Sequence, residues 1–135
     1  MISRWAIALT LAAVSCGQVS SQALAAPRNA SPIKMFDTDN DGTLDLAEVK
    51  KAASDLFAKL ERDHDGTLDK RELKGRLSAK ELAAADPDHD GTLTLDEYLA
   101  VVEQRFNAAD PDKDGTLDAK ELNSKAGKAL LRLLK

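Results

Sequence analysis

One stretch of twelve residues decides the fold of this chain: Asp37-Thr38-Asp39-Asn40-Asp41-Gly42-Thr43-Leu44-Asp45-Leu46-Ala47-Glu48. Acids stand at its first, third and fifth positions, glycine at the sixth and glutamate at the twelfth. Close copies of the stretch lie at 61–72, 86–97 and 110–121. The chain has 135 residues and 23 acidic residues, and all but three of those acids lie in these four loops. A solvated acidic surface would spread its acids along helix faces, so this clustering indicates cation sites.

Each position of the stretch has a chemical role in holding a hard cation. Asp37, Asp39 and Asp41 aim three short carboxylates at one point, and Gly42 permits the sharp bend that follows them. The backbone carbonyl of Thr43 and both carboxylate oxygens of Glu48 complete the cage. These ligands at this spacing are typical of an EF-hand calcium loop.

The same positions in all four loops give the predicted metal ligands. They are Asp37, Asp39, Asp41, Thr43, Asp45 and Glu48 in loop 1; Glu61, Asp63, Asp65, Thr67, Asp69 and Glu72 in loop 2; Asp86, Asp88, Asp90, Thr92, Thr94 and Glu97 in loop 3; and Asp110, Asp112, Asp114, Thr116, Asp118 and Glu121 in loop 4. Loop 2 begins with Glu61, whose longer side chain must fold back to reach an ion, so we expect it to bind more weakly. Thr94 leaves loop 3 one carboxylate short, and we expect a water there. Loops 1 and 4 are therefore expected to bind tightest.

The first 25 residues have the composition of a secretory signal peptide. They contain no acid, run apolar over 5–14 and end in an Ala-x-Ala site before Ala26. We expect cleavage there, export to the periplasm, and one four-EF-hand metal-binding domain over 26–135. The apolar run is too short to span a bilayer comfortably, and no other stretch of the sequence predicts membrane insertion.

The only cysteine, Cys16, lies inside the predicted signal. After cleavage at Ala26 the exported domain would have no disulfide and no thiol ligand. The alternative to cleavage before Ala26 is a lipoprotein anchored at Cys16, because Ala13-Val14-Ser15-Cys16 resembles a lipoprotein processing site.

The spacing of the loops predicts the architecture. Their glycines recur every 24 or 25 residues, which leaves room for one helix between consecutive loops. Apolar residues with helical periodicity over 49–60 and 98–109 place one loop at each end of each helix. Loops 1 and 2 then cannot lie side by side, so we expect loop 2 to pair with loop 3 and loop 1 with loop 4. The expected bridges lie at the position-8 leucines, Leu44, Leu68, Leu93 and Leu117.

Signals between and outside the loops complete the predicted fold. Gly75 and the capping box that starts at Ser78 predict a turn that lets loops 2 and 3 meet. A first helix beginning at Ser31-Pro32 and a last helix around 126–134 complete the chain. The expected fold class is all-α, a compact helical bundle with four EF-hand loops and short shared helices.

The chain resembles the lanmodulin family, small periplasmic lanthanide-binding EF-hand proteins of methylotrophic bacteria. The resemblance rests on the closely spaced hands, the Ala-Ala-Pro signal end, and the D-P-D-x-D-G-T-L-D pattern at 110–118. Pro87 and Pro111 match the family's proline at loop position 2, whereas Thr38 and Arg62 stand there in loops 1 and 2. The resemblance implies selective binding of trivalent lanthanide ions over Ca²⁺, with the metal driving compaction.

Three functional classes follow for a chain with up to four such sites. They are lanthanide capture, buffering or transport; an exported calcium buffer; and a calcium sensor. The sensor is disfavoured because adaptable target grooves are methionine-rich, and 26–135 contains only Met35. His64 and His89 occupy loop position 4, which is expected to face solvent, and no nucleophile is paired with a base, so we predict no enzyme. The expected partners are metal ions and not nucleic acid; the sequence identifies no protein partner.

Overall fold

The helices and strands follow the loop pattern along residues 31–135, the part of the chain that the computed structural model describes. The helices are α1 (Pro32–Phe36), α2 (Leu46–Leu60), α3 (Ala79–Ala85), α4 (Leu95–Ala109), α5 (Ala119–Asn123) and α6 (Lys125–Leu131). The strands are β1 (Leu44–Asp45), β2 (Thr67–Asp69), β3 (Thr92–Thr94) and β4 (Thr116–Leu117). The predicted signal over 1–25, together with Cys16, lies outside the described residues. The helical fold class is confirmed.

Loop residues begin the two long helices. Asp45 accepts a hydrogen bond from the N–H of Glu48, and the Glu48 carboxylate accepts one from the N–H of Asp45. Thr94 and Glu97 form the same reciprocal pair at the start of α4. Because these capping boxes satisfy N–H groups of the first turn, α2 and α4 begin three residues earlier than the predicted 49–60 and 98–109.

The connection between loops 2 and 3 is a turn, as predicted. Gly75 has φ +82°, a left-handed conformation that glycine adopts at low cost. Ser78 then caps α3 through a capping box with Glu81. The chain therefore reverses between Asp69 and α3, which brings loop 3 back to loop 2.

Two antiparallel bridges join the loops in the predicted pairs. Leu44 lies opposite Leu117 in the β1–β4 pair, and Leu68 lies opposite Leu93 in the β2–β3 pair. All four leucines have 0% exposure. The pairing of loop 1 with loop 4 and of loop 2 with loop 3 is therefore confirmed.

The core lies beneath these bridges, between α2, α4 and α6. Phe57 from α2 packs against Tyr98 from α4, with 5.8 Å between the ring centroids. The buried Tyr98 hydroxyl donates to the backbone carbonyl of Leu133 at 2.8 Å. The predicted last helix, 126–134, was wrong at its end, because α6 stops at Leu131. A tighter turn, with the N–H of Leu133 donating to Leu130, brings Leu133 into the core.

A second long-range contact joins three helices on the outside of this core. Arg105 of α4 donates to the carbonyl of Ala129 in α6 at 2.6 Å and to Glu81 of α3 at 2.7 Å. Its side chain is only 13% exposed. Tyr98 and Arg105, both in α4, thus hold the segment that follows loop 4. Over 31–135, none of the helices combines the length and apolar content needed to cross a membrane.

Candidate metal centres

Loop 1 brings three of its predicted ligands together at its mouth. Asp37, Asp39 and Glu48 each offer an oxygen, and these oxygens all lie within 4.8 Å of one another. Asp37 is oriented by the N–H groups of Asn40 and Gly42, which fold the loop around its carboxylate. Glu48 is only 9% exposed, so one wall of the cluster is buried.

Loops 3 and 4 form the same arrangement. Asp86, Asp88 and Glu97 group their oxygens within the same limit, as do Asp110, Asp112 and Glu121. The first aspartate of each loop is buried, with Asp86 at 4% and Asp110 at 6% exposure. Burial of carboxylates costs free energy unless opposite charge or hydrogen bonds compensate, and a bound cation supplies that charge.

Loop 2 departs from the other three. Its acids do not form a comparable cluster among the described residues. Glu61, at the first loop position, folds back and accepts the N–H of Gly66. Glu72, at the last position, accepts the N–H groups of Arg62 and Asp69. Asp63 is exposed. The altered first ligand thus coincides with the loop whose carboxylates are not brought together.

The remaining predicted ligands are tied into the loop backbone. At position 5 an aspartate accepts both the N–H and the hydroxyl of the position-7 threonine, at 2.8 to 2.9 Å. The pairs are Asp41 with Thr43, Asp65 with Thr67, Asp90 with Thr92, and Asp114 with Thr116. At position 9 the side chain accepts the N–H of the closing glutamate, which caps a helix in loops 1, 3 and 4 and a turn in loop 2. The capping residues are Asp45, Asp69, Thr94 and Asp118.

The capping role of position 9 is a function that the ligand prediction missed. The loop pattern contains its signal, because an Asp or Thr three residues before a glutamate is the sequence of a capping box. Position 4 shows a second feature, since its four non-glycine residues have φ between 59° and 61°. Those residues are Asn40, His64, His89 and Lys113. Both histidines are exposed there.

The carboxylates of loop 1 titrate unequally. The N–H of Asp41 donates to Asp39 and favours its charged form, but lost hydration and the charges of Asp41 and Glu48 raise the Asp39 pKa overall. The pKa of Asp41 is lowered, because the N–H and the hydroxyl of Thr43 both donate to it. Repulsion among the carboxylates of the loop therefore raises the pKa of Asp39, whereas the pKa of Asp41 stays low.

Loop 3 repeats this imbalance between neighbouring carboxyl groups. A hydrogen bond shared with Asp86 raises the pKa of Asp88, and the charges of Asp90 and Glu97 add to the shift. Burial alone would raise the pKa of Asp86, but N–H groups, that of Gly91 first among them, lower it. Asp86 thus keeps its charge at the expense of Asp88.

The ion pairs of the described residues lie outside the loops. Three ion pairs are present within residues 31–135, and each uses one of the three acids outside the loops. The pairs are Lys50–Glu103 at 2.7 Å, Lys51–Asp55 at 3.1 Å and Arg105–Glu81 at 2.7 Å. Within the same residues, the loop acids have no cationic side chain as partner. Their grouped oxygens, without sulfur or imidazole donors, fit a hard cation such as Ca²⁺ or a lanthanide ion.

Comparisons with known proteins agree with this geometry. The family model of the EF-hand domain pair matches residues 33–103, and a second EF-hand family model matches residues 102–124. Lanmodulin from Methylorubrum extorquens is 50% identical over 75 residues, which cover 54% of this chain and 56% of that protein. The match thus spans about half the length of this relative. Because the domain-pair model alone covers more than half of the chain, the protein belongs to the EF-hand family, with lanmodulin as a relative.

Proposed function

We propose that this protein is an exported metal-binding protein that takes up trivalent lanthanide ions in preference to Ca²⁺ and captures, buffers or carries them. The ions are its cargo, held by up to four loops, with loop 2 the weakest. The chain has no catalytic role in this proposal.

The observation that carries the proposal is the uncompensated charge of the loops. Each loop contains five acids, and the ion pairs within 31–135 neutralise only acids outside the loops. The Coulomb attraction between a carboxylate and a cation scales with the charge of the cation. A trivalent ion therefore gains more from each loop than a divalent ion of similar size.

The capping boxes link metal uptake to helix formation. Glu48 is both a predicted metal ligand and the residue that completes the capping box of α2 with Asp45. Glu97 and Glu121 have the same two roles at α4 and α5. A cation that relieves repulsion among the loop carboxylates also stabilises the first turn of the next helix, so we expect binding to increase helix content.

A titration with two ions tests the selectivity. Residues 26–135 are titrated with La³⁺ and with Ca²⁺ at buffered free concentrations, and helix content is followed by far-ultraviolet circular dichroism. We expect the transition to occur at far lower free La³⁺ than free Ca²⁺. Equal midpoints for the two ions would contradict lanthanide selectivity and support the alternative of an exported calcium buffer.

Two matched variants show whether the loops are responsible. Asp37→Asn removes one loop carboxylate, whereas Asp55→Asn removes an exposed carboxylate that is paired with Lys51 outside the loops. We expect Asp37→Asn to weaken the first La³⁺-binding step and Asp55→Asn to leave it unchanged. Equal effects of the two variants would show that total charge, and not the loop, determines binding.

Export has its own test. The proposal includes cleavage before Ala26 and release into the periplasm, with attachment of lipid at Cys16 as the alternative. Expression in a bacterium with two membranes, followed by mass measurement of the periplasmic and membrane fractions, separates these outcomes. A soluble periplasmic product that starts at Ala26 supports the proposal, and an uncleaved cytoplasmic product contradicts it.

A further inference from the structure

The closing glutamates of the four loops are held by different numbers of hydrogen bonds. In loop 1, Oε1 of Glu48 accepts both the N–H of Thr38 at 2.6 Å and the Thr38 hydroxyl at 2.9 Å. Its other oxygen accepts the N–H of Asp45 at 3.2 Å. Thr38 stands at loop position 2, ten residues before the glutamate, and its two bonds tie the start of the loop to its end.

Loop 2 has one of these two bonds. The N–H of Arg62, at the same loop position, donates to Oε1 of Glu72 at 2.8 Å. The side chain of arginine has no hydroxyl to add a second bond. Oε2 of Glu72 accepts the N–H of Asp69, as the corresponding atom does in loop 1.

Loops 3 and 4 have neither bond. Position 2 is occupied by Pro87 and Pro111, and proline has no backbone N–H and no side-chain donor. Glu97 accepts its hydrogen bonds on Oε2 from Thr94, and Glu121 accepts its bond on Oε2 from the N–H of Asp118. Position 2 thus contributes two donors to the closing glutamate in loop 1, one in loop 2 and none in loops 3 and 4.

These donors occupy the atom that a metal ion needs. A bidentate glutamate presents both oxygens to the cation, and each oxygen has about two lone-pair sites. At Oε1 of Glu48 the N–H and the hydroxyl of Thr38 use both sites. The N–H is fixed by the backbone, whereas the hydroxyl rotates about one bond, so the hydroxyl is the donor that a cation displaces.

We propose that the residue at position 2 adjusts the cation affinity that the ligands of each loop provide, through the number of donors on Oε1 of the closing glutamate. In loop 1 the Thr38 hydroxyl competes with the cation, and in loops 3 and 4 proline removes that competition. This inference rests on the proposed metal-binding function, whichever hard cation the loops take. It also separates loops 1 and 4, which the ligand pattern alone ranks together, and places loop 4 first.

Three substitutions test the proposal in the full 26–135 chain. Thr38→Val removes the hydroxyl and keeps the shape and the N–H, Thr38→Ser keeps the hydroxyl, and Pro111→Thr introduces both donors into loop 4. Thr38 is exposed, so the valine variant is expected to fold. The amide signals of Gly42 and Gly115 in ¹⁵N-labelled protein report on loops 1 and 4 separately, with free La³⁺ or Ca²⁺ set by a chelator buffer.

The expected result is a paired change of opposite sign. Loss of one hydrogen bond to the Glu48 carboxylate should raise the affinity of loop 1 in Thr38→Val by about three- to tenfold. Thr38→Ser should match the wild type, and Pro111→Thr should weaken loop 4 by a similar factor. An unchanged or weakened loop 1 in Thr38→Val would overturn the proposal, because the hydroxyl would then orient the glutamate for the ion instead of competing with it.

The two ions separate this inference from the proposed function. If the wild type binds La³⁺ and Ca²⁺ equally but Thr38→Val still tightens loop 1 for both, the position-2 effect stands and lanthanide selectivity fails. If the wild type prefers La³⁺ and Thr38→Val changes nothing, selectivity stands and the position-2 effect fails.

Discussion

Asp39 illustrates how single residues in the loops oppose folding until a cation arrives. Its pKa is raised, despite the N–H of Asp41, by lost hydration and by the charges of Asp41 and Glu48. An acid whose pKa is higher in the folded chain destabilises that chain when ionised. The cost is fully present above the folded pKa and disappears as the pH falls below the unfolded value.

Asp39→Asn is therefore expected to stabilise the protein in a chelator at neutral pH. Helix content and Tm, measured by circular dichroism, should exceed those of the wild type near pH 7, and the difference should vanish as the pH falls below about 4. Asp41→Asn is the matched control. It removes a carboxylate whose pKa is lowered by Thr43, so it should reduce the Tm at neutral pH. A lower Tm for Asp39→Asn at neutral pH would contradict the electrostatic account.

Glu61→Asp is expected to strengthen loop 2. The shorter side chain restores aspartate at position 1 and should bring the carboxylate of that residue beside Asp63 and Glu72, as in the other loops. We expect an increase in loop 2 affinity of roughly tenfold, about the effect of one well-placed charged ligand.

The amide of Gly66 reports this change in a chelator-buffered titration. Asp37→Glu provides the reverse exchange in loop 1 and should weaken that loop. If Glu61→Asp leaves the Gly66 titration unchanged, the first ligand is not the reason why loop 2 differs from the other three loops in the arrangement of its carboxylates.

The ligand pattern at the residue scale could be predicted from the sequence, because the EF-hand spacing fixes which carboxylates meet. The extra methylene of Glu61 led us to expect weaker binding by loop 2, and among the described residues the acids of that loop form no comparable cluster. The pattern did not indicate the two donors of Thr38 on Glu48, because the N–H depends on the backbone of the closed loop and the hydroxyl on the threonine rotamer.

At the scale of elements, Gly127 marks a close contact between α5 and α6. A Cβ atom at this position of α6 would meet the backbone carbonyl oxygen of Glu121 and the backbone of Leu122 well inside contact distance. These contacting atoms all belong to the backbone, so they cannot rotate away as a flexible side chain would. The start of α6 is therefore packed directly against the end of loop 4 and α5.

Gly127→Ala is expected to destabilise the protein by about 1–3 kcal/mol and to weaken loop 4, because the added methyl displaces the backbone of Glu121. Urea unfolding in the presence of metal measures the first effect, and the Gly115 amide reports the second. Gly75→Ala is the matched control, since a Cβ there meets open space and only the left-handed φ imposes a cost. Equal effects of both changes on loop 4 would contradict this account.

The existence of α2 and α4 could be predicted from periodicity, whereas the starts of these two helices and the end of α6 could not. α2 begins at Leu46 because Asp45 acts as its cap, a role hidden by its more obvious role as a ligand. α6 ends at Leu131 because the carbonyl of Leu133 bonds to Tyr98, 35 residues earlier in the chain. Local patterns do not contain a contact of that separation.

At the scale of the whole molecule, the two bridges predict which loops influence one another. Loops 1 and 4 share the Leu44–Leu117 bridge, and loops 2 and 3 share the Leu68–Leu93 bridge. The spacing of the hands was sufficient to predict these pairs, since one helix between loops prevents neighbours in sequence from meeting. The Arg105 contacts with Glu81 and Ala129 were not predictable, because each joins residues 24 positions apart.

Asp110→Asn is expected to weaken loop 1 as well as loop 4, because the two loops share a bridge. The Gly42 amide should shift to a higher free La³⁺ midpoint, while the Gly66 and Gly91 amides change less. Asp86→Asn should show the converse, with an effect on loop 2 that exceeds its effect on loop 1. Equal changes in all the untouched loops would show that coupling spreads through the core and not through the bridges.

Tyr98→Phe is expected to loosen the packing of the C-terminal segment on α4. The change leaves the carbonyl of Leu133 buried without its donor, at a cost of about 1–3 kcal/mol. Because α4 lies between loops 3 and 4 and packs on α2, the La³⁺ midpoint for helix formation should rise for the whole chain. A shift confined to the Gly115 amide would show that the change at Tyr98 affects loop 4 alone and would contradict this expectation.

The same buried hydroxyl gives the protein a distinctive optical property. Tyr98 is the only tyrosine in the sequence, and the only tryptophan, Trp5, lies within the predicted signal. Burial raises the pKa of Tyr98 to about 12, so the folded chain absorbs as neutral phenol at alkaline pH where an unfolded chain, with a pKa of about 10, forms tyrosinate. Ionisation of the unfolded chain alone withdraws stability as the pH rises above that lower value. The ultraviolet band of tyrosinate would thus serve as an intrinsic, label-free indicator of chain opening.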